Sequence, residues 1–373
     1  MFLGLREIRR AQVRFALLAG AVGLLVFLVL FVQALTGALI RQFIGAIDNQ
    51  SAAVLVYSDQ ARRNLEGSIV PESTVGTVAA LPGVGAAAPL GEGTFTVTAG
   101  EQLRDAVLFG FVPGEPGAPT TVVAGRLPTA DFEATASEGD AGDGFGLGDT
   151  VRLVRGGREI RIVGIARDTN YSVSPTLFTT FDTFVQARRD ANPDAVTISP
   201  SAVAVQPAPG TSAETVRDTI NANVDGVEAL TRAQAVAEAP GVASVSQSIG
   251  TVVFLCLFVV VVVAGLFFLI LTVQKAQALT LLRAIGVRSG TLVRALLVQV
   301  VLVVVAGVAI GSALTALTLS VSGNNLGARL SVTEVVTNGA LVLVLSVLAS
   351  VGATRRVLRI DPVQATIPGA IAT

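Results

Sequence analysis

Four long apolar stretches constrain this chain more than any other feature of its sequence. They occupy residues 15–40, 249–273, 296–319 and 335–351, and the first three contain no charged residue. A bilayer core of about 30 Å requires ~20 apolar helical residues at 1.5 Å per residue. One such stretch could be a buried helix of a soluble protein. Four in one chain predict a membrane protein with four spans.

The overall composition supports this interpretation. Hydrophobic residues make up 51% of the 373 positions, charged residues only 14%, and the mean hydropathy is +0.69. A soluble domain typically has about 25% charged residues. Polar surface is therefore scarce, and most of it belongs to the long segment between the first two apolar stretches.

The distribution of charge predicts the orientation in the membrane. The segments before the first stretch, between the second and third, and after the fourth contain only two acids, Glu7 and Asp361. They contain eleven bases: Arg6, Arg9, Arg10, Arg14, Lys275, Arg283, Arg288, Arg294, Arg355, Arg356 and Arg359. Segment 42–247 instead has 13 Arg and 24 acids. Positively charged loops stay in the cytoplasm, so we expect a multi-pass protein of the cell membrane with both termini inside.

The same distribution argues against nucleic-acid binding, because the bases lie next to the membrane rather than on a soluble face. A cleaved signal peptide is the alternative for the first apolar stretch. Its apolar run exceeds the 7–15 residues of a signal peptide. Cleavage would also leave three spans and place the basic loop 274–294 on the wrong side. We therefore interpret residues 15–40 as a retained span.

Missing residue types exclude several kinds of chemistry. There is no His, and the single Cys, Cys256, falls within the second apolar stretch. Cys/His zinc sites and triads that use His are thereby excluded. Lys275 is the only lysine and does not belong to a GxxxxGK[ST] loop, so the chain lacks its own phosphate-binding loop. We expect neither an enzyme nor a bound metal or cofactor.

The segment 41–247 is predicted to be one large α+β domain. Strands are expected at 53–57, 94–98, 106–112, 175–180 and 202–206, and a hairpin at 150–165 turns at Arg155-Gly156-Gly157-Arg158. A helix is expected at 73–81, and Thr211-Ser212-Ala213-Glu214 has the spacing of a capping box that opens a second helix. The Gly/Asp-rich run 138–148 predicts a mobile, solvated loop or a weak cation site. The predicted fold is a four-helix membrane bundle with this domain inserted between the first two helices.

Four groups of residues resemble the FtsX-like (MacB-type) ABC transporter permeases. Leu5-Arg6-Glu7-Ile8-Arg9-Arg10 is similar to the interfacial helix that precedes their first span, and Arg359-Ile360-Asp361-Pro362 to their terminal motif. Leu281–Val287 resembles the loop that follows their second span. Leu81-Pro82-Gly83-Val84, Leu147–Val151 and Ile162–Ile165 resemble their periplasmic core domain. Asp168-Thr169-Asn170-Tyr171-Ser172 is most similar to the DevC-like and haem-exporter (HrtB-like) branches.

The resemblance implies a homodimer, or a pair of related permeases, with cytoplasmic ABC ATPase subunits that bind ATP. It implies an exporter or a mechanical transmitter, and ATPase coupling through Leu282, Arg283, Ala284, Ile285 and Gly286. A loop that only fixes topology is the alternative for those residues. The predicted segments are 1–14 (interfacial helix), 15–40, 248–273, 295–319 and 335–353 (spans), 41–247 (outer domain), 274–294 (coupling loop), 320–334 (outer loop) and 354–373 (tail).

Further site predictions concern helix packing and cargo. Gly307 and Gly311 form a GxxxG motif, which serves either packing within the chain or a dimer interface. Because the spans have so few charges, we expect a hydrophobic or amphipathic substrate taken from membrane lipid. The HrtB-like resemblance makes haem a candidate, with Tyr57, Tyr171 and Glu334 as possible ligands, although packing is the alternative for both tyrosines. Two other functions stay open: a regulator of a cell-envelope enzyme that transmits mechanical signals, and a membrane-anchored sensor or binding module.

Overall fold

The computed structural model describes residues 12–240, 242–274, 289–321 and 328–358, which fall into two compact units. The helical unit contains the chain up to Gly37 and from Ser248 onward, and the outer unit is Ala38–Gln247. The predicted coupling residues Leu282–Gly286 lie outside the described residues.

The helices and strands follow one another along the described chain as α1 (Gln12–Asp48), β1 (Val54–Ser58), α2 (Glu72–Ala79), β2 (Val84–Ala99), β3 (Gln102–Phe111), β4 (Val122–Gly125), β5 (Glu133–Ser137), β6 (Thr150–Leu153), β7 (Glu159–Ala166), β8 (Thr176–Thr180), α3 (Phe181–Ala191), β9 (Ala202–Pro207), α4 (Ala213–Asn223), β10 (Val227–Thr231), α5 (Arg232–Ala237), α6 (Val242–Gln274), α7 (Ser289–Val321) and α8 (Val332–Leu358). Short 3₁₀ helices cover Asp59–Ala61 and Glu138–Asp143.

The helical unit is built from α1, α6, α7 and α8, which bury a common core rich in valine. That core includes Val22 and Val26 of α1, Val260 of α6, Val304 of α7 and Val342 of α8. By length and composition, Phe15–Asp48 and Leu297–Val321 are able to cross a membrane. Gln247–Val263 and Val332–Leu348 are shorter apolar helical segments. The described residues therefore contain four long helices, of which two are long and apolar enough to cross a membrane.

The outer unit is built on a ten-stranded mixed sheet with the order β10-β1-β9-β2-β3-β8-β5-β7-β4, in which β6 pairs with β2 and β7. The long strand β2 joins its two parts. Its first half pairs with β9 as far as Leu90 opposite Ala202, and its second half pairs with β3 from Gly91 opposite Gly110. A single strand thus holds the two parts of the sheet together.

Three apolar clusters cover this sheet. On one face, Leu55, Tyr57, Phe109, Phe111 and Phe178 form a core with Ala46 and Ile47 at the end of α1. On the other face, α2 and α4 pack on β1 and β9, and α3 packs on the part of the sheet formed by β2, β3 and β8. The mixture of strands and helices confirms the predicted α+β domain.

The predicted strands occur close to the expected positions, and the hairpin is the pair β6 and β7. The capping box predicted at Thr211 is wrong. Ser212 is the N-cap of α4 and accepts a hydrogen bond from the backbone N–H of Thr215, so the true cap lies one residue later. A capping box forms instead at α5, between Thr231 and Gln234.

The Gly/Asp-rich run differs from the predicted mobile loop. Glu138–Asp143 forms a 3₁₀ helix, and Asp140 accepts a hydrogen bond from the side chain of Asn170 at 2.7 Å. Within the described residues, no three Asp, Glu, Cys or His side chains are grouped to hold a metal ion. Asn170 therefore anchors the run at Asp140, whereas Gly139, Gly142 and Asp143 are exposed, as expected for a solvated segment.

Candidate transmission site

The last turns of α1 belong to the outer unit, because the helix continues to Asp48, eight residues beyond the predicted end of the span. There the helix meets residues 168–174, which we name the clip loop. The sequence had already singled out most of this loop through its resemblance, but nothing in the pattern indicated that it would contact the helix.

Backbone hydrogen bonds connect the clip loop to α1. The N–H of Ala46 donates to the carbonyl oxygen of Asn170 at 3.0 Å. The N–H groups of Ser172 and Val173 donate to the carbonyls of Phe43 and Gln42, each at 3.0 Å. Three residues of α1 are therefore joined to the loop, with one hydrogen bond donated by the helix and two donated by the loop.

Side chains reinforce this contact. The amide of Asn49 donates to the carbonyl oxygen of Asp168 at 2.8 Å, and Arg41 lies 3.8 Å from the carboxylate of Asp168. Gly45 is required by the close approach, since a Cβ atom at that position would collide with the carbonyl oxygen of Asp168. A helix residue with any side chain would push the loop away.

The clip loop itself has a strained backbone. Asp168, Ser172 and Val173 have φ angles of 54°, 51° and 58°, in the left-handed region. This conformation is rare for residues other than glycine and is rarest for β-branched residues such as valine. Strained residues of this kind persist only where the surrounding contacts hold them. The hydrogen bonds to α1 are such contacts.

The side chain of Asn170 fixes the clip loop to the sheet. Its amide donates to Asp140, and its oxygen accepts from Ser137 Oγ at 2.6 Å. Burial raises the pKa of Asp140 to about 6, Asp143 adds to the rise, and the hydrogen bond from Asn170 opposes it. Asn170 thus connects α1, through its backbone, to β5, through its side chain.

A second contact lies where the chain leaves the outer unit. Ile44 is buried with Ala239 and Val242, and Ile40 and Val236 pack against them. The guanidinium of Arg232 donates to the carbonyl oxygen of Gln50 at 2.8 Å. The end of α1 and the beginning of α6 are therefore packed together inside the outer unit.

The two predicted tyrosine ligands lie in the core of the outer unit. Tyr57 is 1% exposed and Tyr171 is 8% exposed. The ring of Tyr171, in the clip loop, packs edge-on against Phe109 at 5.4 Å between centroids. Burial raises the pKa of both phenols, so that they stay neutral. This burial favours the packing alternative for both residues over ligation of iron.

The other predicted site residues lie in the helical unit. Glu334 is half-buried in the first turn of α8. A Cβ atom on Gly307 would approach Val22 Cγ1 to 2.6 Å, and one on Gly311 would approach the carbonyl oxygen of Gly23 to 2.8 Å. Both glycines of the GxxxG motif therefore face α1 of the same chain, which corresponds to the packing alternative.

A pair of amides that the sequence analysis overlooked connects α1 to α8. Asn338 Nδ2 donates to Gln33 Oε1 at 2.6 Å and to the backbone carbonyl of Glu334 at 2.7 Å. Asn338 is 8% exposed. A polar residue on each of two apolar helices is a signal that could have indicated this hydrogen bond.

Comparisons with known proteins agree with this architecture. Residues 15–223 match the MacB-like periplasmic core domain, and residues 250–362 match the FtsX-like permease C-terminal region. An ABC transporter permease of Mycobacterium tuberculosis (strain ATCC 25618 / H37Rv) is 27% identical over 365 residues, covering 97% of this chain and 98% of the relative. The Staphylococcus haemolyticus protein named as permease HrtB of a hemin transport system is 24% identical over 367 residues, covering 98% and 99%.

Among solved structures, the periplasmic region of MacB from Actinobacillus actinomycetemcomitans is 15% identical, covers 52% of this chain and 94% of its own, and has a TM-score of 0.35.

The matched regions together define a membrane permease with a MacB-like outer domain and an FtsX-like helical region. The chain belongs to this family of ABC transporter permeases. The resemblance inferred from its short motifs is thereby confirmed, and the family is one of membrane transport proteins rather than enzymes.

Proposed function

We propose that this chain is the permease subunit of an ABC exporter for a hydrophobic or amphipathic substrate, driven by a separate cytoplasmic ATPase. The observation that carries the proposal is the contact between residues 41–49 at the end of α1 and the clip loop, which we name the transmission site. A helix that is apolar over its first part is joined, through the clip loop, to the sheet of the outer unit. Such a joint is useful where work done on the helices must move the outer domain.

In this proposal α1, α6, α7 and α8 all cross the membrane, and both termini lie in the cytoplasm. The lengths of 33 residues for α6 and 27 for α8 are sufficient, since ~20 helical residues span a bilayer core. The charge distribution sets the orientation. The permease would act as a homodimer or as a pair of related subunits, with ATPase contact through Leu282–Gly286.

The substrate class rests on the chemistry of the spans. Apart from Gln33, Gln299, Asn338 and several hydroxyl groups, the described interior of the helical unit is apolar. A hydrophilic ion would find few partners there, whereas a lipid-like molecule could enter from the membrane. Haem is a candidate through the hemin permease among the relatives, and Glu334 is then the candidate ligand, because carboxylates suit ferric iron.

The alternative function is a regulator that activates a cell-envelope enzyme by ATP-driven movement of the outer domain. The transmission site suits this function equally, because it requires no passage through the bundle. The two functions differ in whether any substrate crosses or leaves the membrane.

A pair of glycine variants tests the proposal. The full chain is purified from its host with the ATPase that accompanies it and is reconstituted into liposomes loaded with haem or with an amphipathic dye. Gly45→Ala forces α1 away from the clip loop, whereas Gly20→Ala, in the same helix, meets nothing within 4 Å. We expect ATP-dependent loss of substrate from wild type and Gly20→Ala, and at least a tenfold lower rate for Gly45→Ala with ATP hydrolysis retained.

The other outcomes separate the alternatives. Activation of an envelope enzyme without movement of either substrate would support the regulator. If no ATPase copurifies with the chain, coupling to an ATPase would be rejected for both the exporter and the regulator. Unchanged transport by Gly45→Ala would show that the transmission site is not used.

A further inference from the structure

The outer unit contains a buried carboxylate for which the transmission site gives no reason. Glu92 lies on β2 and is 1% exposed. It is located where β2 leaves β9 and joins β3, because Leu90 is opposite Ala202 and Gly91 is opposite Gly110. Glu92 therefore marks the junction between the two parts of the sheet.

The backbone of Glu92 is held firmly at this junction. Its N–H donates to Ser201 Oγ at 2.9 Å. Its carbonyl oxygen accepts from Arg188 Nη2 at 2.9 Å and from Ser201 Oγ at 3.2 Å. The guanidinium of Arg188 is thus directed to the backbone oxygen and makes no hydrogen bond with the carboxylate.

The carboxylate itself is poorly satisfied. Oε2 is buried and has no hydrogen-bond partner among the described residues. Glu92 shares a face of β2 with Leu90, and its neighbour on β3 is Phe109, both members of the apolar core. A buried charge without a donor is strongly unfavourable, whereas the neutral acid is much less so.

The ionisable groups around Glu92 favour its neutral form. Glu66, from the segment after β1, adds negative potential, and Arg188 of α3 opposes it only in part. Tyr171 of the clip loop and its neighbour Tyr57 of β1 are themselves neutral phenols. Burial, followed by the charge of Glu66, raises the pKa of Glu92 to about 7. A metal ion would require several oxygen ligands and space, so the ligand that suits this position is a proton.

We propose that Glu92 is a proton-binding site, and that loss of its proton loosens the junction between the two parts of the outer sheet. The proton leaves to solvent, and the new carboxylate must then attract water or a donor. Either change pulls on β2, which alone joins the two parts along the sheet. The outer unit would thereby respond to the pH on its own side of the membrane.

Infrared spectroscopy of the full chain in lipid nanodiscs tests the proposal directly. The carbonyl stretch of a protonated carboxylic acid is separate from the amide bands and is recorded from pH 5 to pH 9. The measurement is made in an Asp140→Asn background, because Asp140 is a second buried acid that titrates near pH 6. We expect a band that disappears with a midpoint near pH 7 and is absent when Glu92→Gln is added. In Glu66→Gln the band should remain, with its midpoint shifted to lower pH.

Labelling of a single introduced cysteine reports on the junction. Ser201→Cys, placed in a Cys256→Ala background, should react with a maleimide at least tenfold faster at pH 8.5 than at pH 6, after correction for the thiol's own titration in the unfolded chain. Adding Glu92→Gln should remove that excess. If Glu92→Gln does not fold, Glu92→Asp provides a second test, because its band should persist at a different frequency. The proposal would be overturned if the Asp140→Asn protein showed no band with a midpoint near pH 7, or if that band persisted after Glu92→Gln was added.

Discussion

The carbonyl oxygen of Asn170 accepts the amide proton of Ala46 at an N···O distance of 3.0 Å. Its side chain simultaneously donates to Asp140 and accepts from Ser137. Asn170 therefore connects helix α1 to strand β5 of the outer sheet. Its substitution is the most direct test of this contact.

Asn170→Asp should destabilise the outer unit at neutral pH by about 1–3 kcal/mol, because it replaces a donor with a second carboxylate beside Asp140. Adding Asp140→Asn should restore most of the loss, since the amide and carboxylate then exchange places. Thermal unfolding of both variants and of the two single variants measures the coupling. If the effects of the two single variants, measured at the same pH, simply add in the double variant, a direct hydrogen bond is contradicted.

Asp140 should also make stability depend on pH. Its folded pKa of about 6 lies above the usual 3.8, so folding favours the protonated form. The resulting stability is complete below about pH 4 and is lost as the pH rises through about 6. Asp140→Asn should make the free energy of unfolding less dependent on pH in this range. It should also raise the melting temperature at pH 7.5 relative to wild type. Asp194→Asn, at an exposed position, is the control and should change neither.

The GxxxG motif should tolerate substitution unequally. Gly311→Ala directs a methyl group at the backbone of α1, at the carbonyl oxygen of Gly23, whereas Gly307→Ala meets the side chain of Val22, which is able to shift. We expect Gly311→Ala to lose about 1–3 kcal/mol and Gly307→Ala to lose less. Unfolding in detergent measures both, with Gly20→Ala as the neutral control. Equal effects, or a loss of dimer without loss of stability, would favour an interface between chains.

The amides of Gln33 and Asn338 should show positive coupling in a double-mutant cycle. Gln33→Leu or Asn338→Leu leaves one buried amide without its partner, while the double variant removes both. The interaction energy should be about 0.6–1.7 kcal/mol, as for other hydrogen bonds between membrane helices. Thr36→Val is the control, because the Thr36 hydroxyl bonds only within its own helix in the described structure. An interaction energy of zero in this cycle would show that the hydrogen bond between the two amides does not contribute to stability.

Haem titration of the purified chain should distinguish the three proposed ligands. Tyr57→Phe and Tyr171→Phe should bind haem as wild type does, because both rings are buried in the outer core. Glu334→Gln should weaken any binding by at least tenfold if Glu334 is the ligand. If the visible spectrum of bound haem changes in either tyrosine variant, the result would support ligation by that phenol. Tight binding that no variant alters would reject all three.

The sequence was most informative where a local pattern determines a local structure. Short runs of apolar and β-branched residues predicted β1, β8 and β9 within about two residues, and the sequence Arg155-Gly156-Gly157-Arg158 predicted the turn between β6 and β7. The apolar runs predicted where the long helices lie, because ~20 apolar residues form a span. They did not predict where the helices end, since α1 continues eight residues beyond the predicted span.

The sequence was least informative about contacts between distant segments. The pairing of Ala46 with Asn170 joins residues 124 positions apart, and the amide pair joins Gln33 to Asn338. The capping prediction at Thr211 failed because Ser212 offers an equally good hydroxyl one residue later. The buried position of Glu92 was hidden, because a charged residue in a strand usually marks its solvent face.

The strands β1 and β10 are antiparallel neighbours, with Val54 opposite Thr231 and Ser58 opposite Val227. The polypeptide accordingly enters and leaves the sheet of the outer unit side by side, at one edge. A domain whose two ends lie side by side in space can be exchanged between related proteins as one block. The exchange leaves the length of both connecting helices unchanged. Chimeras that exchange Ala38–Gln247 as a whole would keep the clip loop with the end of α1 that it contacts. They would combine one permease's helices with another's outer domain, and so assign cargo selection to one half or the other.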